Sequence, residues 1–188
     1  MSANTEIDYG PLTNLKGIWK GDKGLDIAPD PDGTERNPYY ETISYSAIGD
    51  VTNAESQVLA VVHYRQIVQL KSNDKIFHDQ TGYWMWDKKT GIVIHSLTIP
   101  RAVSILAGGF HNGTEQSAGH FILQVSAALN DKDWHIIQSP FMRDNARTTA
   151  FKQQLSVDND TLSYTQTTTV EIYGKVFEHT DQNELTRQ

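Results

Sequence analysis

The pattern that most constrains the fold is a series of extended segments, about ten of them, separated by short stretches of turn-forming residues. Residues 57–70 and 75–87 are two of these segments, and residues 88–91 connect the second to residues 92–99 as a hairpin. No helical periodicity lasts beyond a turn or two. Pairing each strand with the next, and the last strand with the first, leaves no open edge.

We therefore predict an all-β protein: a single closed antiparallel up-and-down β-barrel of about ten strands. Pro11, Leu12 and Leu15 predict one short helical turn before the first strand. At 188 residues the chain is expected to form one domain, residues 1–188, with residues 1–9 flexible. A barrel of this size is somewhat too wide for side chains to fill, so we expect an internal pocket for an apolar ligand of modest size.

Two stretches rich in turn-forming residues are predicted to be loops. Residues 26–38 contain three prolines and a glycine, which predicts a long loop at the mouth of the barrel. An alternative is a calcium-binding loop formed by Asp26, Asp30 and Asp32, although the expected downstream glutamate ligand is missing. Residues 139–145 are predicted to form a second loop.

Charge and composition exclude several classes of function. The net charge of -7 and the lack of a basic patch argue against a nucleic-acid or anionic-membrane partner. The absence of cysteine excludes disulfides, thiolate catalysis and cysteine-ligated metal centres. No signal peptide and no apolar run near the ~20 residues of a membrane span are visible, so we expect a cytoplasmic protein. The sequence leaves open whether the chain forms a homodimer.

Glycines surround a single tryptophan in the first extended segment. Gly17, Trp19, Gly21 and Gly24 predict a sharply curved strand whose indole fills one end of a closed sheet. The alternative is a glycine-rich loop around a buried tryptophan. The turn followed by Gly-x-Trp-x-Gly resembles the nitrobindin-type haem-binding β-barrel family, within the lipocalin-like and fatty-acid-binding-protein-like barrels. Lys23 stands where the third glycine of the family pattern belongs.

The resemblance extends over nearly the whole chain, from about Leu12 to His179. Residues 78–86, 97–101 and 106–109 are similar to a bacterial subgroup of these barrels. The resemblance implies a soluble protein that binds haem b through one axial histidine and leaves the sixth iron position open. It also implies nitric oxide binding and, as a possible isomerase activity, conversion of peroxynitrite to nitrate. In the wider group a late arginine, here Arg187, covers the motif tryptophan by a cation–π contact.

His179 is the residue that the resemblance assigns to the haem iron. In the family, the proximal histidine follows a Thr-Thr-Thr strand, and His179 follows residues 167–169 in that order. Phe177 shares its strand face and would supply an aromatic wall. An imidazole is the commonest axial ligand of haem iron. The alternative is an exposed edge histidine beside Glu178 and Asp181.

His78 and Phe77 are the other predicted pocket residues, because residues 77–83 resemble the family segment that lines the haem site. Neighbouring residues on a strand face opposite sides, so at most one of the two points fully inward unless the strand bulges. His111 is expected to be solvated in a polar loop. The histidines expected to be satisfied polar groups on strands are His63, His95, His120 and His135.

Two other functions remain open. A non-enzymatic carrier of a fatty acid or another small hydrophobic ligand requires a cationic clamp inside the barrel. The candidates for that clamp are Arg65, Arg101, Arg143 and Arg147. An interaction module would instead have an interior filled with side chains.

Overall fold

The computed structural model describes residues 7–111 and 120–188 and confirms the all-β barrel. Within these residues there are a short 3-10 turn (Gly10–Leu15), one short helix and eleven strands. The strands are β1 (Gly17–Asp30), β2 (Gly33–Asn53), β3 (Gln57–Leu70), β4 (Ile76–Asp87), β5 (Ile92–Ile99), β6 (Val103–Phe110), β7 (His120–Ala128), β8 (Ile136–Gln138), β9 (Ala146–Asp158), β10 (Thr161–Ile172) and β11 (Lys175–Arg187). The helix is α1 (Pro140–Asn145).

Ten of the described strands close the barrel, and β8 is an addition to it. Antiparallel pairing follows chain order from β1 to β7, continues through β9, β10 and β11, and returns to β1. β6 pairs with β7 through Gly108 and Ser126, and with β8 through residues 103–105. The Gln138 side chain accepts from the backbone N–H of Thr148 and donates to its C=O, at 2.9 and 3.0 Å. This carboxamide therefore links β8 to β9 as a backbone pair would.

Both predicted loops are wrong. Residues 26–38 belong to β1 and β2, which remain paired up to Asp30 and Gly33. The turn is confined to residues 31–32, where the backbone N–H of Asp32 donates to the Asp30 carboxylate at 3.0 Å. Residues 139–145 contain α1, because Ser139 caps the helix by accepting from the N–H of Met142 and Pro140 occupies its first turn.

One end of the barrel, which we call the capped end, is closed by the 3-10 turn and Trp19. Leu12, Leu15 and Trp19 are fully buried, and the indole N–H donates to the Leu15 carbonyl at 2.8 Å. The Arg187 guanidinium lies 4.1 Å from the Trp19 ring centre, which confirms the predicted cation–π contact. Its nitrogens also donate to the carbonyls of Lys16 and Asn14.

The glycines of β1 allow this strand to bend sharply. The pairing register with β2 shifts between Gly21 and Gly24, which marks a β-bulge. A Cβ atom at Gly24 would lie 2.0 Å from the Tyr39 ring, and one at Gly21 would lie 2.6 Å from a backbone oxygen. The segment is therefore a bulged strand, as the sequence predicted, and the alternative of a glycine-rich loop is wrong. Within residues 7–111 and 120–188, no helix has both the length and the apolar character needed to cross a bilayer.

Candidate functional site

His179 lies on the inner face of β11, at the end of the barrel opposite the capped end, which we call the far end. Alternation along β11 places Phe177, Asp181 and Leu185 on the same face, with Leu185 fully buried. The cross-strand neighbour of His179 is Thr168 of β10. The side chain of His179 is 31% exposed, so the imidazole is partly accessible.

The imidazole of His179 lies between two carboxylates, and we call Asp26, His179 and Asp181 the Asp–His–Asp cluster. Nε2 of His179 donates to Oδ1 of Asp26 and lies 3.8 Å from Oδ1 of Asp181. The outer oxygens of both carboxylates have amide partners. Asn37 donates to Oδ2 of Asp26 at 3.0 Å, and Gln166 donates to Oδ2 of Asp181 at 3.4 Å.

Each member of the cluster has a perturbed pKa. Burial opposes protonation of His179, but the hydrogen bond to Asp26 and the nearby negative charges outweigh it and raise the pKa of the imidazole. Burial also opposes ionisation of Asp26, yet the bonds from His179 and Asn37 lower the pKa of this carboxyl. Burial raises the pKa of Asp181 to about 7. Near neutral pH, Asp26 and His179 therefore form an ion pair beside a carboxyl that is partly protonated.

Phe77 and His78 both face the interior, because β4 bulges at this point. The register with β3 shifts between Val68 and Gln69, opposite residues 76–78. The Phe77 ring lies edge-on to the inward ring of Tyr39 at 6.3 Å, and Nε2 of His78 donates to Gln80 at 3.2 Å. Burial lowers the pKa of His78, and the charge of Arg101 acts in the same direction.

A second polar group, centred on Glu41, fills the middle of the barrel. The Glu41 carboxylate accepts from Gln66 at 2.5 Å, Asn183 at 2.6 Å and Tyr164 at 3.1 Å. Burial raises the pKa of Glu41 to about 7. Sequence reasoning did not find this residue. The available signal was its position on the inward face of β2, between two buried apolar residues at Tyr39 and Ile43.

The other histidines occupy different environments. His95 is buried inside the barrel, where it stacks on Trp84 at 4.1 Å and hydrogen-bonds to Tyr64, and burial lowers its pKa to about 3. His63 bonds to Thr81 on the outer surface. The expectation that His111 is solvated is wrong, because its exposed fraction is 7% and its backbone N–H donates to Gly91.

A fatty-acid carrier was predicted to need a cationic clamp inside the barrel, and three of the four candidate arginines form ion pairs at the surface instead. Arg65 pairs with Asp79, Arg143 with Asp144 and Arg147 with Glu171, all between half-exposed side chains. Arg101 is exposed in the turn between β5 and β6. In the part of the chain that the structure describes, no arginine or lysine is buried. The charged groups inside the barrel are mainly carboxylates.

Comparison with known proteins identifies the family. A family model described as "THAP4-like, heme-binding beta-barrel domain" matches residues 8–187. The chain belongs to this family. Among solved structures, a crystal structure of Rv2717c from M. tuberculosis aligns with 97% of this chain and 99% of that chain, with a TM-score of 0.71. The sequence identity is 20%, so this similarity establishes the shared fold. No curated protein matches the sequence.

The donor set at the far end fits the haem that the description of the THAP4-like family names. His179 presents an imidazole on the inner face, and Tyr39, Phe77 and Phe177 provide aromatic rings near this end. A carboxylate partner such as Asp26 is what metal-bound histidines use to fix their ring orientation. Because Nε2 is bonded to Asp26, a metal would bind either through Nδ1, or through Nε2 after the ring turns and Nδ1 bonds to Asp26.

Space for a porphyrin at this end also requires side chains to move. Two surface pockets among the described residues have volumes of about 450 and 400 Å³, and neither is lined by His179, His78, Phe77 or Phe177. The side chains of Phe77, His78 and Phe177 are part-buried. A wider opening at the far end requires them to rotate outward.

Proposed function

We propose that this barrel binds haem b at its far end, with His179 as the axial iron ligand and Phe77, His78 and Phe177 lining the site. One observation carries this proposal: the partly exposed imidazole of His179 faces inward with a carboxylate behind it, in a chain whose family is described as haem-binding. A buried apolar cap at the other end keeps the interior closed to water from that side.

The residues of the chain would contribute orientation and basicity. Asp26 holds the imidazole in place and makes it a stronger electron donor to a metal. His78 is kept neutral by burial, so it adds a polar but uncharged side chain to the site. Ferric haem held by these residues would supply nitric oxide binding and the isomerisation of peroxynitrite to nitrate.

Hemin titration of the purified protein tests this function. We expect a Soret band that saturates at one haem per chain and is lost in His179→Ala. His63→Ala is the matched control, because it removes an imidazole from the outer surface and should leave the band unchanged. The proposal fails if the wild-type protein gives no Soret band, or if the band survives in His179→Ala. Nitrate yield from peroxynitrite then tests the isomerase activity.

A carrier of fatty acids is the less favoured alternative. The carboxylate of such a ligand would enter an interior that holds Asp26, Glu41 and Asp181, with no buried arginine or lysine in the described residues. Like charges at close range in a low-dielectric interior repel strongly. Denaturing mass spectrometry of ligand extracted from the purified protein separates the two functions, because a carboxylate lipid favours the carrier.

A further inference from the structure

We propose that the Asp–His–Asp cluster is also a binding site for a divalent transition-metal ion such as Zn²⁺. This site goes beyond haem binding, because the ion would bind to the three side chains themselves. It would also compete with haem, since both need a nitrogen of the His179 imidazole.

The first support is the convergence of three ligand atoms. One carboxylate oxygen from each aspartate and one imidazole nitrogen from His179 all lie within 4.8 Å of one another. Ligands around tetrahedral zinc are about 3.3–3.6 Å apart, since each bond is about 2.0–2.2 Å long. The 3.8 Å separation between His179 Nε2 and Asp181 Oδ1 is close to this range. Small side-chain rotations therefore suffice to bring the three atoms around one ion.

The second support is the orientation of the two carboxylates. Asn37 holds the outer oxygen of Asp26, and Gln166 holds the outer oxygen of Asp181. The inner oxygen of each carboxylate is thereby directed at His179. Metal-binding carboxylates are commonly fixed by such hydrogen bonds from a surrounding shell, so the cluster already has the second layer of contacts that a metal site needs.

The third support is the register between the first and last strands. Asp26 and Asp181 are direct cross-strand partners in the pairing of β1 with β11. Like charges directly opposite each other destabilise a sheet, and here both side chains point into the barrel. A divalent cation bound between the two side chains would remove the repulsion that arises whenever both are ionised.

The donor set indicates the class of ion. An imidazole suits Zn²⁺ and neighbouring transition metals, whereas Ca²⁺ and Mg²⁺ prefer oxygen ligands alone. Three protein ligands leave the fourth tetrahedral position for water or an incoming ligand. Zinc is therefore the probe of choice, and Mg²⁺ is the matched control ion.

Isothermal titration of metal-free protein with Zn²⁺ tests this site. We expect one Zn²⁺ per chain, no comparable heat with Mg²⁺, and loss of binding in His179→Ala and Asp181→Asn. Asn37→Ala should weaken binding by about 10–100-fold, because it removes only an orienting contact. Asp79→Asn is the control variant, since this aspartate pairs with Arg65 on the outer surface. Circular dichroism confirms that each variant is folded.

The results distinguish this site from the haem site. Stoichiometric Zn²⁺ binding in a protein that gives no Soret band with hemin would support the metal site and reject the haem proposal. Hemin binding without Zn²⁺ binding would do the reverse. If both bind, bound Zn²⁺ should reduce hemin uptake until a chelator is added. Zinc binding that is equally strong in Asp181→Asn and Asp79→Asn would overturn the proposed ligand set.

Discussion

The two ends of the barrel interior have opposite chemistry, although the same strands run through both. At the capped end, β11 contributes the fully buried Leu185, which belongs to one apolar cluster with Leu12 and Trp19. At the far end, the same face of β11 carries His179 and Asp181. An apolar end provides stability by burial, whereas the polar end holds charges that cost stability and can bind a ligand. Substitutions at the two ends should therefore have different consequences.

The largest effect on stability is expected from Trp19→Ala. This substitution removes a fully buried indole that packs against the 3-10 turn, so the free energy of unfolding should fall by about 3–5 kcal/mol. Denaturant unfolding measures the loss. Phe177→Ala is the comparison at the far end, and it should cost much less stability while weakening hemin binding, because this ring is only part-buried. Equal losses of stability from the two variants would contradict the division between the ends.

A pH-dependent effect is expected from Glu41, in the middle of the barrel. Because burial raises the pKa of this carboxyl from 4.5 to about 7, the folded state binds more protons than the unfolded state between these values. The stability contribution is present below about pH 4.5 and is lost as the pH rises to about 7, by about 3 kcal/mol. Unfolding measured from pH 5 to 8 should show a smaller decline in Glu41→Gln. Parallel curves for the two proteins would disprove this assignment.

A smaller effect is expected from Arg187→Ala, which uncovers the Trp19 ring at the capped end. The cation–π contact contributes about 0.5–2 kcal/mol, and the guanidinium also donates to backbone carbonyls of Asn14 and Lys16. Arg187→Lys keeps the charge but loses the planar donor arrangement, so its stability should lie between those of the wild type and the alanine variant. Hemin and Zn²⁺ binding should be unchanged in both, and a loss of either would show that the two ends are coupled.

The smallest effect is expected from Arg65→Ala on the outer surface. The Arg65–Asp79 pair is 2.7 Å long, but both side chains are well exposed, so its removal should lower the melting temperature only slightly. Thermal unfolding at low and high salt checks this expectation, because screening should shrink the difference. A larger loss would show that the outer surface contributes to stability as much as the interior does.

Much of the barrel could be predicted from local sequence patterns. The bounds of β3 and β5 agree with residues 57–70 and 92–99, since alternation and hairpin signals both act over a few residues. The hairpin at residues 31–32 was not predicted, because the prolines around it also occur in loops. Strand pairing, rather than composition, decided that region.

The candidate site was predicted only in part, for a related reason. His179, Phe177, Phe77 and His78 were selected by resemblance to a family, and the structure places all four at the far end. The bulge that turns both Phe77 and His78 inward depends on the register with β3, which a single strand does not reveal. Asp26 was considered only as part of a loop. Its contact with His179 joins residues 153 positions apart, so no local pattern could indicate it.

The placement of Asp26 on β1 and of His179 on β11 has a consequence for biogenesis. These strands meet only when the ring is complete, so the Asp–His–Asp cluster cannot exist in a nascent chain that still lacks its final segment. Contacts between distant parts of a sequence form late, because closing a long loop has a high entropic cost. An ion or cofactor bound at the cluster would therefore indicate a completely folded barrel. It would also crosslink the first strand to the last strand.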